Sequence, residues 1–179
     1  MKGTIETMEE RVVYENDYAT VYDDRVRFPD GHEGTYFRWQ WNAPHGVAIV
    51  PVIEDRVVLI RAYRYQNKAF VVEIPQGFGG QEGGPEEDAR RELREETGLE
   101  AGELVPLMQF EGNIATHCYL AKIAGGQSRH MEGAESTESI VETIELPISE
   151  LTPAKLNAMG VVGPVTMAAL LAVRLVSER

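Results

Sequence analysis

The sequence predicts an α+β fold, in which a mixed β-sheet is covered by helices on both faces and follows an N-terminal antiparallel β extension. Three observations predict it. Runs rich in Val and Ile at 46–53 and 57–63 have the composition of buried strands. A helix with recognisable caps follows at 84–98, and two more helical segments end the chain. Strands, a central helix, more strands and terminal helices together indicate an α/β/α sandwich.

The first forty-odd residues have short alternating apolar and polar segments, at 12–14, 19–22 and 26–28, with a turn at Pro29-Asp30-Gly31. This pattern is typical of antiparallel strands that leave one face in solvent. We therefore expect residues 1–44 to form N-terminal antiparallel strands and residues 45–179 to form the main domain.

The main domain is predicted to begin with a hairpin, because the polar turn Glu54-Asp55-Arg56 separates the two Val- and Ile-rich runs. A third strand is expected at 70–74. It is followed by Pro75 and a glycine-rich segment in which no apolar period continues, so a loop is expected there.

A helix is predicted from Gly84, a plausible N-cap followed by Pro85, to about Thr97, with Gly98 as a left-handed C-cap. Acidic residues fill its first turn, where they favour the helix dipole. The remaining predicted elements are strands at 103–110, 115–123 and 139–146 and helices at 149–157 and 164–177.

Composition limits the classes of function. The chain has 179 residues and a formal charge of -12, and an acidic protein without a basic patch is a poor nucleic-acid binder. No apolar run reaches the roughly 18 residues of a membrane span, and no signal-peptide pattern is present, so a cytoplasmic protein is expected. The single cysteine, Cys118, lies in an apolar run and is expected to have no catalytic role.

Three glutamates of the predicted helix, Glu92, Glu95 and Glu96, have i, i+3 and i+4 spacing and therefore share one face. One interpretation is a solvated acidic face whose repulsion is relieved by neighbouring arginines. The other is a divalent-metal site beside the glycine-rich loop, since Mg²⁺ prefers carboxylate oxygens together with water and phosphate oxygens.

These glutamates lie in a pattern that resembles the Nudix box, which is Gly, five residues, Glu, seven residues, then Arg-Glu-apolar-any-Glu-Glu-any-Gly-apolar. Eight of its nine defined positions match: Gly77, Arg91, Glu92, Leu93, Glu95, Glu96, Gly98 and Leu99. The first glutamate is replaced by Gly83, with Glu82 one residue earlier. The resemblance implies a Nudix-like mixed sheet and a pyrophosphohydrolase that uses Mg²⁺ or Mn²⁺. It also implies metal contacts from Glu92, Glu95, Glu96 and the Gln76 carbonyl.

The segments 59–64 and 72–77 are similar to the approach to the box in ADP-ribose and ADP-sugar pyrophosphatases. This resemblance implies hydrolysis of a nucleoside diphosphate sugar, contacts from Arg61 or Arg64 to the substrate, and a homodimer formed through the N-terminal strands. The segment 111–116 lacks a proline that ADP-ribose members often carry. Another nucleoside diphosphate derivative, such as GDP-mannose or a dinucleotide polyphosphate, and a non-catalytic nucleotide-sugar sensor remain alternatives.

The resemblance also implies that a mobile acidic loop before the last strand supplies the proton acceptor, for which Glu138 is the first choice and Glu135 the second. Glu95 is expected to act with a second ion. Glu73, an acid within an apolar run, needs a partner if it is buried, and Arg91 is the expected one. His117 and His130 have no second ligand at metal-binding spacing and are expected to be structural.

Overall fold

The N-terminal strands form a sheet of their own in the computed structural model, which describes residues 3–80, 82–127 and 139–177. The strands are β1 (Glu6–Glu9), β2 (Val12–Glu15), β3 (Ala19–Arg27) and β4 (Glu33–Trp41). β3 lies in the centre and is antiparallel to the other three. β1 and β2 pair with successive parts of β3, so the order differs from a simple meander.

The second sheet has seven strands: β5 (Gly46–Ile53), β6 (Arg56–Arg64), β7 (Ala69–Glu73), β8 (Gln76–Phe78), β9 (Glu103–Phe110), β10 (Thr116–Ile123) and β11 (Ile140–Pro147). Their order is β11-β6-β5-β10-β9, with β7 on β6 and β8 on β5. β10 runs parallel to β5, whereas the other described pairs in this sheet are antiparallel. The predicted mixed sheet is therefore confirmed.

β5 and β6 pair only next to their hairpin turn, at Val52–Val57 and Ile53–Arg56. Beyond that point they separate, and β7 and β8 occupy the space between them by pairing with β6 and β5. The sequence predicted a loop at 76–78, because three residues that include a glycine are too short to show alternation. This inserted strand brings Gln76 and Gly77 to the middle of the sheet.

Helix α1 (Pro85–Thr97) has the predicted caps, with Gly84 extended and Gly98 left-handed at φ 69°. α3 (Pro164–Ser177) also has its predicted bounds. The helix predicted at 149–157 is a 3₁₀ turn, Ile148–Glu150, followed by α2 (Pro153–Ala158). α2 begins later because the Thr152 side chain accepts the Lys155 N–H and Pro153 occupies the first helical position.

The core has two parts, one on each face of the seven-stranded sheet. Alternate residues of β5 separate them: Val47 and Ile49 belong to the cluster that contains Leu93 of α1, while Ala48 and Val50 belong to the cluster with Leu170 of α3. α1 and α3 therefore cover opposite faces, as an α/β/α sandwich requires. No helix in the described ranges has the length and apolar character needed to cross a membrane.

Candidate active site

Two of the three predicted glutamates are buried on the face of α1 that meets the sheet. Glu92 is 5% exposed and Glu96 is 1% exposed, whereas the Glu95 side chain is 23% exposed. A solvated acidic face would leave these carboxylates in water. Their burial therefore excludes that interpretation for Glu92 and Glu96.

Both buried carboxylates contact the backbone of β8. Glu96 Oε2 accepts the Gln76 N–H at 2.8 Å. The Glu92 carboxylate lies so close to Gly77 that a Cβ there would fall within 3.0 Å of it. The space at position 77 therefore admits only glycine. The helix face and the inserted strand pack together because this position has no side chain.

Arg91 lies among these acids and compensates part of their charge. Its Nη1 donates to Glu95 Oε2 at 2.7 Å, and its Nη2 lies 2.8 Å from Glu92 Oε1 and donates to the Phe78 carbonyl at 3.0 Å. Burial alone would lower the pKa of Arg91, but the charges of Glu92 and Glu95 outweigh it and raise that pKa above its usual value. The arginine is therefore permanently charged.

The residues fit a divalent cation by the chemistry of their donors. Glu92 and Glu96 place anionic oxygens beside a strand backbone, and hard cations prefer all-oxygen ligands. Within the described ranges, however, no three His, Cys, Asp or Glu side chains already converge as a metal cluster. Glu95 is held by Arg91 instead. The metal contacts from Glu92, Glu95, Glu96 and the Gln76 carbonyl stay predictions.

A cleft of about 700 Å³ opens beside these carboxylates. Gln76 and Gly77 line it, together with Arg64 and the aromatic rings of Trp41 and Phe78, whose centroids are 5.0 Å apart. Its volume suits a ligand of nucleotide size, and its lining combines apolar surface with a few polar groups. Gln76 and Gly77, which contact Glu96 and Glu92, therefore connect the cleft with these carboxylates.

Glu73 anchors Arg64 at the cleft. Glu73 is 4% exposed, and its Oε1 accepts from Arg64 Nε at 2.6 Å while its Oε2 accepts from the Gln76 side chain at 3.1 Å. The expected partner, Arg91, was wrong, because Glu73, which lies opposite Ile60 on β6, is held instead by the Arg64 guanidinium from the end of the same strand. Of the two predicted substrate arginines, Arg64 lines the cleft, whereas Arg61 pairs with Glu142 on β11 at 3.1 Å.

Five other residues were the subject of predictions. Glu138 and Glu135, the predicted proton acceptors, lie outside the described residues, as does His130. The ring of His117 contacts the ring of His45. Cys118 is 1% exposed, and burial raises the pKa of its thiol to about 11, so it is a core residue with little thiolate.

Sequence reasoning missed a buried pair next to the site, His45 and Asp88, whose side chains meet at 2.9 Å. Asp88 was interpreted only as a first-turn acid of α1. The two residues are far apart in the chain, and only the packing of α1 against the start of β5 brings them together. Trp41 was missed for the same reason, because it lines the cleft only through the position at which β4 ends.

Comparisons with known proteins agree with this geometry. A family model described as the NUDIX domain matches residues 43–159, which contain the α1 carboxylates and β5 to β11. A second family model, described as the nucleoside diphosphate sugar hydrolase N-terminal domain, matches residues 5–39. The two matches fall on the two sheets.

Two curated relatives and one solved structure illustrate the similarity. The chain is 30% identical over 133 residues to a methanol dehydrogenase activator of Bacillus methanolicus, covering 71% of this chain and 70% of the relative. It is 29% identical over 126 residues to an ADP-sugar pyrophosphatase of Mus musculus, covering 64% of this chain and 57% of the relative. A crystal structure of an ADP compounds hydrolase matches with a TM-score of 0.78 and 20% identity, covering 99% of this chain and 95% of that one. The solved structure therefore supports the fold.

Proposed function

Because the chain belongs to the Nudix family, as the match over residues 43–159 shows, we propose that it hydrolyses the pyrophosphate bond of a nucleoside diphosphate sugar. The products are a nucleoside monophosphate and a sugar phosphate, and the favoured substrates are ADP-ribose and ADP-sugars. The observation that carries the proposal is the pair of buried carboxylates, Glu92 and Glu96, packed against the strand that lines a nucleotide-sized cleft.

Glu92 and Glu96 are the residues that would hold a divalent cation, Mg²⁺ or Mn²⁺, with the Gln76 carbonyl and Glu95 as further ligands. When bound, such a cation would neutralise pyrophosphate oxygens and lower the pKa of a bound water. Arg91 limits the repulsion among the acids, because it contacts both Glu92 and Glu95. The predicted proton acceptor, Glu138 or Glu135, lies outside the described residues and stays a prediction.

The cleft supplies groups for the phosphates and the base of a nucleotide sugar. Arg64 is held at its wall by the buried Glu73 and presents a guanidinium group, which binds phosphate oxygens well. Trp41 and Phe78 present aromatic rings, on which a nucleobase can stack. These contacts favour a substrate with a base and two phosphates over inorganic pyrophosphate.

The N-terminal match supports the sugar class. Residues 5–39 fit a model described for nucleoside diphosphate sugar hydrolases, and the mouse relative is named for ADP-sugars. Neither observation identifies the sugar. A screen of ADP-ribose, ADP-glucose, GDP-mannose and a dinucleotide polyphosphate with Mg²⁺ or Mn²⁺, with products identified by mass spectrometry, tests the proposal.

We expect a nucleoside monophosphate and a sugar phosphate from at least one ADP-linked substrate, and no turnover with excess EDTA. Turnover of GDP-mannose or the dinucleotide polyphosphate alone would show that the substrate belongs to another class of nucleoside diphosphate derivative. Binding of nucleotide sugars without any products would indicate the non-catalytic sensor instead.

The N-terminal sheet supports the proposal of a homodimer formed through residues 1–44. It exposes Val12, Val13 and Tyr14 on β2 and Tyr36 and Phe37 on β4, each at least 48% exposed. Several large exposed apolar side chains on one small sheet favour association. Light scattering after size exclusion is expected to give twice the mass of 20.0 kDa. A cytoplasmic location also stays a prediction, which cell fractionation tests.

A further inference from the structure

Asp88 is a buried carboxylate that contacts three different parts of the site. It lies in the first turn of α1 and is 5% exposed. His45 Nε2 lies 2.9 Å from its Oδ2, the Gly80 N–H lies 3.3 Å from both of its oxygens, and Arg91 Nη2 lies 3.4 Å from its Oδ1. A buried carboxylate is costly unless it is paired and hydrogen-bonded. Asp88 meets that condition through groups from the residue before β5, the turn after β8 and its own helix.

His45 fixes the same loop from the other side. It is 8% exposed and lies immediately before β5, and its carbonyl accepts the Gly79 N–H at 2.8 Å. A Cβ at Gly79 would fall within 3.0 Å of the His45 ring, so the ring fills the space beside this glycine. The turn at Gly79 and Gly80 is therefore held between the imidazole and the carboxylate.

This turn adjoins the residues of the proposed metal site. Phe78, directly before it, accepts from Arg91 Nη2 through its carbonyl at 3.0 Å, and Gly77 packs on the Glu92 carboxylate. The Nudix pattern has an acid at position 83, but this chain has Gly83 with a left-handed φ of 91°, a conformation that other residues adopt only with strain. Position 83 therefore has no acid, and the Asp88 carboxylate lies beside Gly80 instead.

We propose that Asp88 and His45 are positioning residues, which fix the Gly79–Gly80 turn and Arg91 and thereby hold the Glu92 carboxylate in place for a divalent cation. Neither residue touches the substrate in this proposal. Its kinetic readout rests on the proposed hydrolysis, whereas its metal-binding and exchange readouts do not.

The test compares Asp88→Asn with Glu87→Gln, which removes the same charge from the adjacent, exposed position. Asp88→Asn removes the negative charge and replaces one acceptor oxygen by a donor, which weakens the hold on the Gly80 N–H and Arg91 while side-chain size is kept. We expect Mn²⁺ affinity, measured by calorimetry without substrate, to fall about tenfold. Hydrogen exchange in the peptide containing Gly79 and Gly80 should become about tenfold faster. In the hydrolysis assay, kcat should fall about 10- to 100-fold with KM nearly unchanged.

His45→Gln is a second, independent variant, and it provides the comparison if Asp88→Asn does not fold. It is expected to give the same fall in Mn²⁺ affinity and the same faster hydrogen exchange at Gly79 and Gly80. The double variant should be no worse than the more affected single variant, because both residues act on one turn. If the variants bind Mn²⁺ as tightly as the wild type and exchange hydrogen in this turn no faster, the proposal is overturned. It is also overturned if the losses of the two single variants multiply in the double variant. If the wild-type protein hydrolyses none of the substrates, the proposed function is refuted, but the metal-binding and exchange measurements still test this proposal.

Discussion

Gly77→Ala is the substitution whose effect the structure predicts most directly. A Cβ added at Gly77 would lie 2.2 Å from both Cδ and Oε1 of Glu92. Carbon atoms in good contact are about 3.5–4.0 Å apart, so the carboxylate or the strand must move by more than about 1 Å. Glu92 is buried and its helix is fixed by the core residue Leu93, so the displacement falls on the carboxylate and on β8.

A misplacement of about 1 Å in a catalytic arrangement can reduce turnover about 100-fold. We therefore expect kcat of Gly77→Ala for the best substrate of the screen to fall about 100-fold, with a small change in melting temperature. Gly112→Ala is the matched control, because a Cβ there meets nothing within 4 Å. Steady-state kinetics and thermal unfolding of both variants provide the measurement. Wild-type kcat in a folded Gly77→Ala variant would refute the packing argument.

Three further predictions concern neighbouring groups. Glu73→Gln removes the buried charge that holds Arg64, so KM is expected to rise about tenfold in steady-state assays, and an unchanged KM would count against Arg64 as a substrate contact. Leu93→Ala should lower the free energy of unfolding by about 2–5 kcal/mol in urea titrations, because Leu93 is fully buried; a loss below about 1 kcal/mol would contradict its core position. With a pKa of about 11, Cys118 should be about 0.1% thiolate at about pH 8, so a thiol reagent should label it only after unfolding, and rapid labelling of the native protein would contradict its burial.

Much of the fold was predictable because local signals agreed with the final structure. Gly84 and Gly98 mark the ends of α1, and the turn Glu54-Asp55 marks the hairpin between β5 and β6. The i, i+4 spacing also placed Glu92 and Glu96 on one helix face, where the structure has them. These features depend on residues close together in the chain.

The features that were missed depend on contacts between distant segments. β8 forms because β5 and β6 separate beyond their hairpin turn. No pattern within the three residues of β8 predicts that separation. Glu73 pairs with Arg64 rather than Arg91 because the Arg64 side chain, from the end of β6, reaches the buried carboxylate on β7. The burial of Asp88 against His45 likewise follows from the way α1 packs on the sheet.

The most direct test of the central claim is metal-dependent hydrolysis by Glu96→Gln. The substituted amide keeps an oxygen that can accept the Gln76 N–H, so the contact with β8 remains while the negative charge is lost. Glu86→Gln, an exposed position on the same helix, is the control. We expect Glu96→Gln to retain the wild-type circular dichroism spectrum and to lose metal-dependent product formation by at least about 100-fold. Near-wild-type turnover by this variant would contradict the assignment of the α1 carboxylates as the metal site.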